Sequence, residues 1–180
     1  MPLSEFHNDY FQLFHLPAEF TVDQVQLGAS YRQLQQELHP DRYANASAQQ
    51  QRIAVQYSAL VNEAYATLRN PLLRALYLLE QAGLSGEDVA GQQVDGGFLI
   101  MQIELREKLE SLGELVEPET VLDHLVHEIK TDVRVLQEQF SHAFTEGDLT
   151  AAASACVKMQ YLDKLLQEAE AIETRMLDNE

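Results

Sequence analysis

The chain has 180 residues, 46% of them apolar, with a formal charge of −17, one cysteine, 5 prolines and 8 glycines. That length suits one domain or two small ones, the lone Cys156 excludes a disulfide framework or a thiolate metal site, and the acidity excludes a basic footprint for nucleic acid. The charge is uneven: residues 1–75 carry five Lys/Arg against seven Asp/Glu, net −2, and residues 76–180 carry seven against twenty-two, net −15. The asymmetry predicts two modules; most of the acidity reads as solvated helix faces that keep the protein soluble, and the sharper reading is a surface for a basic partner. No apolar run reaches membrane-spanning length. No basic-then-apolar leader or Arg-rich transit peptide is visible, so a cytoplasmic location is expected.

Asn8 to Phe14 is a short apolar-rich helix candidate ending before Pro17. Thr21 with Gln24 reads as a capping box, opening a helix over Val22–Leu38 with Val25, Ala29, Leu34 and Leu38 near helical spacing and Gly28 as its weak position. Pro40 must break this helix, because it lacks an N–H and clashes with the preceding turn, and it pushes His39 to extended angles. His39-Pro40-Asp41 is therefore expected at a loop tip, displaying an imidazole and a carboxylate. Ser47 with Gln50 repeats the capping pattern, and Ile53, Tyr57, Leu60, Val61, Ala64, Tyr65 and Leu68 make a regular stripe. Asn70-Pro71 starts another helix, with Asn as cap and Pro at the first position. Its Leu72, Leu73, Leu76, Tyr77 and Leu79 spread over more than one side, predicting burial between elements.

Gly83 to Gly97 reads as a linker, punctuated by Gly86, Gly91 and Gly96. Three long helical patterns follow. The first covers about Phe98–Leu112. The second starts at Pro118 and carries Leu122, Val126, Ile129, Val133, Leu136, Phe140 and Ala143. The third, after a turn at Gly147-Asp148, has the ladder Leu149, Ala152, Cys156, Met159, Leu162, Leu166, Ala169, Ile172 and Met176. Such spacing with short loops predicts a three-helix bundle. The expected fold is all-α: a small helical module over 1–75, the end of its last helix and a linker over 76–97, and a bundle over 98–180.

The helix Phe98–Leu112 carries more apolar residues than docking requires. Phe98, Met101, Leu105, Leu109 and Leu112 fall on one stripe at 100° per residue. Leu99, Ile100 and Ile103 lie off it, beside Glu104 and Glu107, and either form a binding patch or are covered by the linker or the first module. Enzyme readings are weak. His124-x-x-His127 lacks the paired Glu-x-x-His motifs of a di-iron bundle, Cys156 sits on an apolar ladder as a small hydrophobe, and no Gly-rich phosphate loop is present. No catalysis, cofactor or metal is expected.

Asp9-Tyr10-Phe11-x-x-Phe14, Tyr31-Arg32, His39-Pro40-Asp41, Arg42 and Asn62-Glu63-Ala64-Tyr65-x-x-Leu68, in that order, resemble a J-domain over residues 8 to about 75. Three further stretches narrow the resemblance: Leu72-Leu73-Arg74-Ala75-x-Tyr77-Leu78-Leu79, Phe98-Leu99-x-x-Gln102-x-Glu104-Leu105-Arg106-Glu107 and Tyr161-Leu162-Asp163-Lys164-Leu165. With them nearly the whole chain is similar to the HscB family of iron–sulfur assembly co-chaperones. The resemblance implies an adaptor with two contacts. His39, Pro40 and Asp41, with Arg32 and Arg42, would meet an HscA-type ATPase chaperone and promote its ATP hydrolysis. Leu99, Ile100, Ile103, Glu104, Glu107 and Tyr161 would bind an IscU-type scaffold protein. The alternative is a general J-domain co-chaperone whose bundle dimerises or binds a different client.

The chain departs from the family pattern at several points. J-domains usually carry several Lys/Arg on the helix before the loop, and Val22–Leu38 has only Arg32. Arg42 replaces the family's usual lysine, and Ser111 stands where family members are acidic. The cysteine-rich metal module of eukaryotic relatives has no counterpart, which implies a bacterial, cytoplasmic member.

Overall fold

The computed structural model describes residues 9–44, 46–114 and 116–178, and every regular element among them is helical. Asn8, the first residue of the expected opening helix, lies outside that set. The chain divides into two compact units, Met1–Leu78 and Leu79–Glu180. The division falls within a helix and not in the glycine-punctuated stretch.

In the first unit α1 (Tyr10–Leu13) precedes α2 (Gln24–Glu37), a 3-10 turn (Pro40–Tyr43), α3 (Ala48–Arg69) and α4 (Pro71–Gln81), which runs past the division. The start of α2 differs from the capping box expected at Thr21. Asp23 is the cap, its Oδ1 accepting from the N–H groups of Val25 at 2.8 Å and Gln26 at 3.1 Å. With the helix beginning at Gln24, that residue is too early to reach back to a cap, and a carboxylate suits the positive end of the helix dipole. Asp23→Ala is accordingly expected to cost about 1 kcal/mol and Thr21→Val almost nothing, as read by urea denaturation.

The buried side of α2 also differs. Val25 is 79% exposed and Ala29 is exposed, whereas Leu27 is fully buried and Leu38 nearly so, with Tyr31 and Leu34 half-buried. The inward stripe is thus Leu27, Tyr31, Leu34 and Leu38, at steps of four and three. Across it, α3 turns Ala54, Val61, Ala64 and Leu68 inward. A polar and aromatic clasp joins the two helices. Tyr31 stacks on Tyr65 at 4.0 Å, and its hydroxyl donates to Asn62 Oδ1 at 3.0 Å, an acceptor shared with the Gln35 amide. The start of α3 has the expected capping box of Ser47 and Gln50.

The aromatics of α1 close this hairpin. Phe11 and Phe14 are buried, and Tyr10 stacks on Tyr77 at 4.4 Å while donating its hydroxyl to Glu63. Asn70 caps α4 through Leu72 and Leu73 N–H, with Pro71 leading the helix. Its buried residues Arg74, Ala75, Leu78 and Leu79 form one broad face, and Leu73 is 43% exposed, so α4 is not enclosed on all sides. Arg74 is the buried charge. Its guanidinium donates to the Leu68 carbonyl in the last turn of α3 and lies 5.0 Å from the Phe20 ring, and burial lowers its pKa.

The second unit holds α5 (Gly86–Ala90), α6 (Gly96–Glu110), a 3-10 turn (Ser111–Glu114), α7 (Pro118–Thr145) and α8 (Leu149–Leu177). The stretch expected to be linker thus contains a helix. Ser85 and Asp88 close a reciprocal capping box, Ser85 holding the Asp88 carboxyl below its usual range, and Val89 is buried as α5 packs on α8. The turn between α7 and α8 is a Schellman motif. Asp148 N–H bonds to the Ala143 carbonyl, Gly147 N–H bonds to that of Phe144, and Gly147 takes the left-handed φ of +77° that such an ending requires. α8 is the central helix. Ala152, Ala153, Ala155, Cys156 and Val157 are all buried along its first half, where small side chains let α5, α6 and α7 all pack against it. α7 contributes Leu122, Leu125, Ile129, Leu136 and Phe140 to this core.

Candidate functional site

Two surfaces stand out, one on each unit. The first is the loop after α2. His39 adopts φ −57° and ψ 133°, the extended geometry forced by the following proline, and serves as the cap of the 3-10 turn that Pro40 begins. Its Nδ1 accepts from Asp41 N–H at 3.4 Å and lies 3.5 Å from Asp41 Oδ2. The far side of the loop is tied down by Gln51 on α3, whose amide lies within hydrogen-bonding reach of the Tyr43, Ala44 and Ala46 carbonyls. The imidazole thus shapes the turn while the Asp41 carboxylate, 90% exposed, is left to the solvent. Arg42 is exposed on the same turn. Arg32 is exposed on α2, five residues before the helix ends. Neither arginine makes an ion pair among the described residues.

The second surface lies on α6 and α8. Phe98, Leu105, Leu109 and Leu112 are buried, and Met101 is half-buried. On the opposite side Leu99 is 40% exposed, Ile100 60% and Ile103 53%, and across from them Tyr161 on α8 is 37% exposed. The Phe98 ring stands 6.2 Å from that of Tyr161, joining the two helices' apolar surfaces. The cations of α6 are engaged elsewhere: Arg106 pairs with Glu168 on α8 at 2.9 Å, and Lys108 lies 3.8 Å from Glu128 on α7. Glu104 and Glu107 are exposed without a cation partner among the described residues, so the apolar patch has a net negative rim. Chemically, such a face can receive an apolar side chain with a basic neighbour.

Sequence patterns missed the residues that hold these surfaces. Gln51 follows a capping box and looks like an ordinary helical surface residue. Asp95 was grouped with linker glycines, yet it is the cap of α6: its Oδ1 accepts from Phe98 N–H at 2.9 Å and its Oδ2 meets Lys158 Nζ at 2.6 Å. The Lys158 side chain, then the Phe98 amide, hold the Asp95 carboxyl below its usual range. Lys158 precedes Tyr161 by three residues, one helical turn, and that spacing is the signal that was available.

Groups with catalytic potential are placed differently. His124 and His127 are exposed on α7, and no three His, Cys, Asp or Glu side chains gather into a metal-binding group among the described residues. Cys156 is fully buried, and burial pushes its thiol up to about 12. It is therefore a packed neutral group, expected to react with iodoacetamide at pH 8 only after unfolding. Because the folded thiol holds its proton more tightly than the unfolded one, this site favours folding fully below pH 9, and the benefit is lost as pH rises toward 12. A denaturation series across that range reads it.

Comparison with known proteins adds independent findings. Residues 94–170 match the family model described as the HSCB C-terminal oligomerisation domain. The co-chaperone protein HscB homolog of Aeromonas salmonicida is 39% identical over 174 residues, 95% of this chain and 99% of that one. Among solved structures, chaperone HscB from Vibrio cholerae superposes with a TM-score of 0.82 at 36% identity, covering 93% of this chain and 98% of the other. Human co-chaperone protein HscB gives a TM-score of 0.85 at 30% identity, with 94% and 84% covered.

Proposed function

The chain belongs to the HscB family of co-chaperones, and on that premise we propose that it serves iron–sulfur cluster assembly as an adaptor with no catalysis of its own. The first unit, a J-domain, engages an HscA-type ATPase through His39, Pro40 and Asp41, flanked by Arg32 and Arg42. The acidic bundle holds an IscU-type scaffold against Leu99, Ile100, Ile103 and Tyr161, with Glu104 and Glu107 meeting basic groups on its rim. The observation that carries this reading is a pair of surfaces the fold leaves unused: a nine-tenths exposed loop carboxylate and an exposed apolar patch on an otherwise core-forming helix. Among the described residues no helix is long and apolar enough to cross a membrane. A cytoplasmic location is part of the proposal and rests on the resemblance to bacterial members of the family.

Asp41 acts by a charge-assisted hydrogen bond to a basic group of the chaperone, biasing the chaperone's own active site toward hydrolysis. Holding the scaffold on the same chain raises its effective concentration at the chaperone. The test is ATP turnover by the chaperone as this protein is titrated, with and without scaffold. Scaffold is expected to lower the concentration that gives half-maximal stimulation by roughly tenfold or more. An identical curve in both conditions would show that the two surfaces are not joined in function.

A further inference from the structure

The first half of α6, from Phe98 to Ile103, is apolar on most sides, and this raises a problem of specification. Hydrophobic burial alone chooses only weakly between docking Phe98, Leu105 and Leu109 against the core and docking Leu99, Ile100 and Ile103 there instead. A step of one residue turns a helix by 100° and moves it 1.5 Å, enough to bring Leu99 and Ile103 toward the core and turn Phe98 away from it. Something polar must choose the rotation. Two ion pairs join α6 to α8 at either end of the patch, Asp95 with Lys158 at 2.6 Å and Arg106 with Glu168 at 2.9 Å, with residue numbers rising together on the two helices.

The first of these pairs is the more closely built. One carboxylate does two jobs, Oδ1 closing the first turn of α6 and Oδ2 taking the lysine from α8. A Cβ at Gly97 would come within 3.3 Å of Asp95 Oδ1, so this glycine leaves the carboxylate its room. The Lys158 side chain is only 20% exposed, and its ammonium stands 5.6 Å from the Phe98 ring, which in turn neighbours Tyr161. A single lysine therefore touches the cap of the patch helix and the ring that separates that helix from the aromatic on α8.

We propose that Lys158 is a positioning residue of the scaffold-binding face: it fixes the rotation and register of α6 on α8, so that Leu99, Ile100 and Ile103 face outward in one surface with Tyr161. The inference rests on the reading of that face as the scaffold site. Lys158→Met keeps the length and packing of the side chain and removes the charge, and it is expected to weaken scaffold binding about fivefold. The same variant should shift and broaden the methyl resonances of Ile100 and Ile103 as α6 samples a second rotation, with the helical circular dichroism retained. Lys158→Arg should restore affinity to within about twofold of wild type. Asp95→Asn, which keeps a good helix cap and loses the pair, should reproduce the defect if the methionine variant does not fold. A methionine variant that binds like wild type, or one that loses affinity with an unchanged methyl spectrum, overturns the assignment and leaves the scaffold reading intact. Failure of the wild-type protein itself to bind scaffold overturns both.

Discussion

His39→Gln and Asp41→Asn are each expected to remove at least nine-tenths of the stimulation of chaperone ATP turnover while leaving the fold's stability nearly unchanged. The two effects separate because of where the side chains stand. Asp41 is 90% exposed and His39 59% exposed, and their mutual contact is long, so little folding energy resides in them. A charge-assisted hydrogen bond to a partner is worth roughly 1.5–3 kcal/mol, and each 1.4 kcal/mol is about a factor of ten. His39→Gln acts one step back, removing the Nδ1 acceptor that holds Asp41 N–H and with it the direction of the carboxylate. Parallel assays of turnover and thermal denaturation decide the matter. Full stimulation by both variants would remove the loop from the mechanism.

The sparse charge around this loop sharpens that expectation. With one cation on α2 and one on the 3-10 turn, the J-domain offers little of the long-range attraction that a basic helix supplies. More of the contact then falls on the loop itself, and a loop substitution should be correspondingly severe.

The sequence disclosed the parts of this molecule that follow from local rules. Pro40 predicted the break, Ser47 with Gln50 the start of α3, Asn70-Pro71 the start of α4, and the seven-residue ladders the long helices of the bundle. What it concealed depends on tertiary choice. Thr21 and Asp23 are both good caps, and the structure shows that the Asp23 carboxylate closes the first turn. Val25 looked like a core position by spacing and is exposed, because the inward face of α2 is set by the clasp of Tyr31 with Asn62 and Tyr65. The linker reading of Gly83–Gly97 failed for a related reason: five-residue α5 has too little periodicity to be seen, yet Val89 is buried beside α8. On α6 the reverse holds. Its excess of apolar residues and the face that turns outward were both legible in the spacing, and the structure adds the ion pairs that join the helix to α8.

A triple variant, Leu99→Ala, Ile100→Ala and Ile103→Ala, is expected to weaken scaffold binding by about a hundredfold. Fully burying a Leu or Ile contributes roughly 1.5–3 kcal/mol. These side chains begin between 40% and 60% exposed, so truncation removes about 1 kcal/mol each, or about two powers of ten together. The same changes should leave folding intact, since alanine is the best helix former and the buried stripe of Phe98, Leu105 and Leu109 is untouched. Stability and affinity thus move independently, which a core role for these residues would not permit. Calorimetric titration of the scaffold measures the first effect and urea denaturation the second. Sedimentation of wild type across concentrations tests a second copy of the chain as the rival occupant. A tight dimer that the triple variant abolishes would assign the patch to self-association. Monomeric wild type with the expected loss of scaffold affinity assigns it to the client, and the free carboxylates of Glu104 and Glu107 then predict that the scaffold's contact surface is basic.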